Sequence, residues 1–149
     1  MKEKAIVCDI DDTIVVPAEK YKPIENVIDF LKQNSKEYKI IMLTARYAHK
    51  MQEFTIKQLK DLGIPYTQLI MESGEHENHH ETRSNEHAVY KTNEVRKLMA
   101  KYDVALFIDN SKPARQGVKM LGVTTKKPEN IKPNTLTKNL WSEIGRAHV

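Results

Sequence analysis

The chain contains one cysteine, Cys8, so no internal disulfide can staple it, and nothing in it calls for an oxidising compartment. No apolar run approaches the roughly 20 residues of a membrane-spanning helix, and no charged-then-apolar segment resembles a signal peptide. Five glycines and six prolines in 149 residues exclude collagen and low-complexity disorder. Internal repeats, Ser/Gly linkers and coiled-coil heptads are also missing. These absences leave a cytoplasmic globular protein with no membrane partner as the expectation. A length of 149 residues suits one domain with a self-sufficient core.

What is present is unevenly distributed. The net charge of +4 comes from 24 basic and 20 acidic side chains. Residues 1–111 hold 16 basic and 18 acidic groups, whereas residues 112–149 hold eight basic and two acidic. A basic C-terminal third can attract polyanions in a salt-dependent way, or it can simply be a solvated lysine-rich surface.

Short apolar runs alternate with helical ones. Lys4–Cys8, Lys39–Thr44 (KIIMLT), Tyr66–Met71 and Val104–Ile108 (VALFI) read as strands, with a short one at Val123–Thr125. Helices are expected over Pro23–Gln33, Met51–Leu62, Ser84–Lys101 and Ser111–Leu121. Val89 and Phe54 are assigned to core-facing sides, and Gly63 to the position just past a helix end. Apolar strands alternating with helices imply a mostly parallel sheet covered on both faces, a three-layer Rossmann-like α/β sandwich. In such sheets the site lies beyond the carboxyl ends of the strands, which nominates Asp9, Asp11, Thr44 and Asp109.

Asp9-Ile10-Asp11-Asp12-Thr13 sets three carboxylates within four residues after a buried strand. Like charges so close resist simultaneous ionisation, a difficulty that a hard divalent cation removes. A solvated acidic turn capping a helix is the plainer alternative. Thr44, Lys91 and Asp109 add a hydroxyl, an ammonium and a further carboxylate, a complete phosphoryl-transfer set. Taken singly, each also reads as a helix cap or a surface charge.

In this order the residues resemble the four motifs of the haloacid dehalogenase (HAD) superfamily of phosphohydrolases. Asp9, Asp11 and Thr13 match the first motif, Thr44 the second, Lys91 the third and Asp109 the fourth; Lys97 and Lys101 compete with Lys91. The resemblance implies that Asp9 is the nucleophile and that Asp11 is the general acid and base. It implies Mg²⁺ held by Asp9, Asp109 and the backbone carbonyl of Asp11. Thr44 and Lys91 would donate to the phosphoryl oxygens, and Thr13 would shape the first loop. Two positions depart from the family pattern. Many relatives have glycine where Asp12 stands, and a second acid where Asn110 follows Asp109; Asn110 can still engage metal-bound water.

Only 30 residues separate Thr13 from Thr44, and 46 separate Thr44 from Lys91. The expected fold is therefore capless or minimally capped, with at most a small lid at Glu72–Arg83. An open site admits polymer ends more readily than it encloses small metabolites. The order LTAR, helix, GIPYTQLIM, polar loop and lysine-bearing helix resembles the phosphatase domain of phage-type polynucleotide kinase-phosphatases. That resemblance implies a polynucleotide 3′-phosphatase of nucleic-acid repair, with Arg46 and Arg83 as substrate-binding candidates. The alternatives are a nucleotide or sugar phosphatase and an inactive binding module. No Walker-type phosphate loop occurs, so the chain supplies no kinase half by that route. His76, His79 and His80 lack the spacing of a zinc site and read as a polar loop. The organisation expected is a phosphatase domain at 1–126, a basic tail at 127–142, and a suspected adapter-derived artefact at 143–149, which match one reading frame of a common sequencing adapter.

Overall fold

The computed structural model describes residues 1–74 and 83–137, with side chains from Asn85 onward in the second segment. Of the lid expected at Glu72–Arg83, Glu72 belongs to a strand and Arg83 to a helix, while residues 75–82 with the histidine loop, the Arg83 side chain, residues 138–142 of the tail and the suspected artefact lie outside the described residues.

Five parallel strands form the central sheet: β1 (Glu3–Cys8), β4 (Lys39–Tyr47), β5 (Gln68–Glu72), β6 (Tyr102–Ile108) and β7 (Thr125–Lys126). Their order is β5-β4-β1-β6-β7, which puts β1 at the centre. A small antiparallel hairpin, β2 (Val15–Val16) and β3 (Lys22–Pro23), follows the acidic loop. Among the described residues four α-helices flank the sheet: α1 (Glu25–Asn34), α2 (Ala48–Asp61), α3 (Arg83–Met99) and α4 (Lys112–Lys119).

Alternation along the strands decides which helix covers which face. Ile6, Cys8, Ile40, Met42, Leu106 and Ile108 point to the side where Val27, Ile28, Phe30 and Leu31 of α1 and Leu59 of α2 pack. Ala5, Val7, Ile41, Leu43 and Phe107 point to the other, against Ala88, Val95 and Leu98 of α3 and Ala114 and Val118 of α4. The result is the expected three-layer sandwich with a two-sided core. Pro128 and Ile131 are also buried, so the chain beyond β7 packs onto the α1 side.

Several boundaries differ from expectation for identifiable reasons. Pro23 pairs with Val15 in the hairpin and is not in the first turn of α1; Ile24 is extended and the helix begins at Glu25. Val89 faces solvent at 60% exposure while its neighbour Ala88 takes the core position, because α3 also packs closely on α4 and leaves room there only for a small side chain. Phe54 is likewise exposed, the core side of α2 being taken by Thr55 and Leu59. Gly63 does sit past the end of α2, with φ +70°. The Gly63 and Ile64 amides donate to the Lys60 and Leu59 carbonyls, each at 3.0 Å, which closes the helix.

Candidate active site

The central pairing of β1 with β6 brings distant parts of the sequence together. Cys8 lies beside Ile108, and the Asp9 amide donates to the Ile108 carbonyl at 2.9 Å. Asp9 and Asp109 therefore leave the sheet as neighbours, both buried. Lys91, projecting from α3, lies between them: its Nζ donates to Asp9 Oδ1 at 3.0 Å and to Asp109 Oδ2 at 2.7 Å. Lys97 and Lys101 do not compete for this place. Lys97 is exposed and pairs with Glu94, and Lys101 lies over the Tyr102 ring.

The remaining lone pairs are satisfied locally. Thr13, fully buried, donates to Asp9 Oδ2 at 2.9 Å and accepts from the Asn110 amide at 3.2 Å, tying the first loop to the fourth motif. The Ser111 amide donates to Asp109 Oδ1 at 2.8 Å, and Ser111 Oγ caps α4 by accepting from the Ala114 amide. Arg115, one turn into α4, donates to the Asp109 carbonyl at 2.9 Å. The acidic loop is a tight reversal in which Asp12 has φ +59°, a left-handed conformation that aspartate tolerates better than most residues.

Arg46 occupies an unexpected place. Its side chain is only 2% exposed, and its Nε and Nη2 form a two-pronged contact with Asp11 at 3.1 and 2.7 Å. Its Nη1 donates to Thr55 Oγ1 at 2.9 Å. The guanidinium thus faces a carboxylate of the site. Thr44, at the end of the apolar run, is buried and accepts from the Arg46 amide at 3.1 Å; β4 continues three residues further than expected.

Over these groups lies an open cavity of about 570 Å³ with Asp9, Asp11, Thr44, Arg46, Lys91 and Asn110 in its wall. Tyr47, Lys50 and His87 also line it. Sequence reasoning missed these three, although Tyr47 and Lys50 stand at a strand end, where the carboxyl-edge rule could have found them. Thr55 and Arg115 carried no such signal. A larger cavity of about 690 Å³, lined by Glu72, Glu86, Tyr90 and Glu94, holds none of the expected site residues.

Charge explains the energetics. Burial, and next the Asp109 charge, push the Asp9 carboxyl up to about 7, against the opposing pull of Lys91. Burial alone would lower the Lys91 pKa, but the Asp9 and Asp109 carboxylates outweigh it and hold it above the usual lysine value. The neighbouring Cys8 thiol is pushed well up, by burial and then by Asp9 and Asp109, and is therefore inert.

The residues fit a hard divalent cation. Asp9, Asp11 and Asp109 carry three carboxylates against the two cations Lys91 and Arg46. The Asn110 carboxamide lies 3.2 Å from both Asp9 Oδ2 and the Asp11 carbonyl. Turned one way its nitrogen donates to both; turned the other way three oxygens converge, which only a cation makes favourable. Among the described residues no three His, Cys, Asp or Glu side chains form a cage of their own. The ligand set would therefore be two carboxylates, a backbone carbonyl, Asn110 and water, as Mg²⁺ prefers.

Fold and site geometry together define a three-layer α/β protein with an acidic site at the carboxyl ends of β1 and β6. No family model and no curated protein matches the sequence. Solved structures do match the fold. A chain of the Pnkp1/Rnl/Hen1 RNA repair complex aligns over 85% of this chain with a TM-score of 0.70 and 21% identity, and a chain of a second structure of that complex gives 0.69 and 21%. This protein spans only 42% and 46% of those two chains. A D,D-heptose 1,7-bisphosphate phosphatase from B. bronchiseptica, crystallised with magnesium and phosphate, aligns over 82% of this chain and 78% of its own, with a TM-score of 0.55 and 11% identity.

Proposed function

We propose that the protein is a Mg²⁺-dependent phosphomonoester hydrolase that works through an aspartyl-phosphate, and that its substrates are the 3′-phosphorylated ends of nucleic acids. One observation carries the reading: Asp9, Asp109 and Lys91, far apart in sequence, meet within hydrogen-bonding distance under an open cavity.

Asp9 attacks phosphorus, forming the carboxyl–phosphoryl bond as the ester P–O bond breaks. Asp11 gives the departing oxygen its proton, then takes one from the water that cleaves the aspartyl-phosphate and regenerates Asp9. Lys91, with Thr44 at the opposite wall, donates to the phosphoryl oxygens, and its fixed charge stabilises the negative charge they carry. Thr13 holds the Asp9 carboxylate in place through its hydrogen bond to Oδ2. Arg46 orients Asp11, with three of its N–H donors engaged by Asp11 and Thr55, and its remaining donors line the cavity where substrate would bind. Arg83 remains a candidate for contact with the substrate backbone. Asp9, Asp109, Asn110 and the Asp11 carbonyl would hold Mg²⁺. Its positive charge would let anionic nucleophile and anionic substrate approach each other.

The substrate class rests on access and charge. Lys112 opens α4 just after the Asp109 loop, and the Lys126 carbonyl accepts from the Asp109 amide at 3.2 Å. Lys112, Lys126 and Lys127 are exposed, and among the described residues none has a carboxylate within ion-pair distance. They line the same sheet edge as the site, where a polyanion would run. Fold kinship with chains of an RNA repair complex supports the same class.

The test is to compare wild type and Asp9→Asn, with Mg²⁺, on an aryl phosphate, on mononucleotides and on 3′-phosphorylated DNA and RNA oligonucleotides. Wild type should act on all of them and prefer the oligonucleotides, while the variant falls at least about a thousandfold. Equal rates for both proteins, or none above buffer, would leave a binding module. A preference for mononucleotides would leave a small-molecule phosphatase.

A further inference from the structure

The Arg46 fork that holds Asp11 is itself held from outside the cavity. Residues Lys20 and Tyr21, in the turn between β2 and β3, both have left-handed backbones, with φ of +56° and +60°. Neither is glycine, and such conformations cost on the order of 1 kcal/mol each in ordinary side-chain-bearing residues. The turn is fixed by the Tyr21 amide, which donates to the Val16 carbonyl at 2.9 Å. Its effect is to lay the Tyr21 ring against Phe54 of α2, with centroids 5.1 Å apart and planes tilted by 56°, a favourable aromatic arrangement.

Arg46 completes the group. Its guanidinium carbon lies 5.8 Å from the Tyr21 ring centroid and 5.6 Å from that of Phe54, within cation–π range of both. Phe54 is 44% exposed and has no place in either core cluster, so burial does not explain it. Contact with Arg46 does. The guanidinium has Asp11 along one edge, Thr55 at another and two rings about it, which keeps water away from a cation that would otherwise hydrate and turn.

We propose that Tyr21 and Phe54 are positioning residues that act through Arg46 to hold the Asp11 carboxyl where it can serve the leaving group. The proposal rests on the phosphatase reading of Asp11 given above. A carboxyl that protonates a departing oxygen matters for alkoxides, which leave poorly, and little for nitrophenolate, which leaves without help. Losing the rings should therefore penalise one class of ester.

The experiment measures kcat and KM for wild type, Phe54→Leu and Tyr21→Leu on an alkyl phosphate and on p-nitrophenyl phosphate, with Mg²⁺. In single turnovers each variant should release the alkyl alcohol about tenfold more slowly and nitrophenolate within about twofold of wild type, with KM unchanged, while the later hydrolysis of the aspartyl-phosphate, which also uses Asp11, slows equally after either ester. Phe54→Tyr and Tyr21→Phe, which keep a ring, should restore the alkyl rate. In an Asp11→Asn background Phe54→Leu should add no further loss. Independently of turnover, the Arg46 Nε–H resonance should lose its ring-current shift and exchange faster with water in Phe54→Leu. Should Tyr21→Leu unfold the hairpin, the exposed Phe54 position decides alone. Equal slowing of leaving-group release from both esters in single turnovers, or an unchanged alkyl release, would overturn the positioning role while leaving the phosphatase assignment intact. A wild type inactive on both esters would overturn both.

Discussion

Asp9 is where the chemistry and the stability of the protein pull against each other. Its carboxyl titrates near 7 in the folded chain, against 3.8 for an ordinary aspartate, because burial and Asp109 disfavour the anion. Between those two values the folded state holds a proton that the unfolded chain has released. Stability therefore declines as pH rises from about 4 to about 7 and levels off above. Asp9→Asn removes this liability. In metal-free buffer at pH 8 it should be more stable than wild type by on the order of 2 kcal/mol, the variant giving up the Lys91 ion pair in exchange. Thermal melts should show the gap closing toward pH 4; a constant gap would contradict the assignment. If Asp9 is the nucleophile proposed above, turnover needs its anion, so the acid limb of the rate profile should lie near pH 7 at low Mg²⁺ and move to lower pH as Mg²⁺ is raised. Of the residue-level expectations, the meeting of Asp9, Thr13, Lys91 and Asp109 was legible because the two carboxylates follow apolar strands and the others stand at motif spacing, whereas Thr44 ends an apolar run and not its strand. The partner of Arg46 was not, because a guanidinium at a strand end looks the same from sequence whether it meets a substrate or a carboxylate.

The elements were legible wherever one face of a segment is apolar. The buried strands could be located because they are apolar throughout, a pattern that parallel sheets with two covered faces impose. The helices lost accuracy where packing partners set the pattern. In α3, Ala88 faces the core and Val89 does not, because α3 and α4 approach too closely for a larger residue. The closest approach is at Gly117, where an added Cβ would collide with Thr92 Oγ1, a hydroxyl anchored to the Ala88 carbonyl at 2.7 Å. Gly117→Ala should cost about 1–2 kcal/mol in denaturant unfolding despite the better helix propensity of alanine. Thr92→Ala should return most of that in the double variant; additive losses would mean the two residues do not touch. Since Lys91 is the residue before Thr92, the same helix packing sets the height at which the ammonium enters the site. The β2–β3 hairpin was missed altogether, since two-residue strands carry no periodicity.

Across the whole molecule, charge is sorted by position. Asp9, Asp11 and Asp12 line the cavity, and Lys112, Lys126 and Lys127 stand exposed along the same sheet edge. Among the described residues no helix is long and apolar enough to cross a membrane. If the basic edge guides a single-stranded end into the cavity, KM for an oligonucleotide should climb steeply with salt, while KM for an aryl phosphate should not. Lys126→Glu with Lys127→Glu should flatten that dependence, by about 0.7 in the log–log slope for each phosphate that is no longer neutralised, and leave aryl phosphate hydrolysis unchanged. A salt response identical for the two substrates would assign the lysines to solubility alone. Composition foretold this asymmetry, but only the sheet order put β7 beside β6 and so brought the lysines to the site.

The pairing of β1 with β6 has a practical corollary. Asp9 and Asp109 lie far apart in the chain and become neighbours only when β1 and β6 have paired. Such long-range closure is a late and cooperative event in folding. Enzymatic competence should consequently vanish in step with global melting, with no active fragment surviving a nick between the strands, so that a simple rate assay doubles as a gauge of how much of a preparation is native.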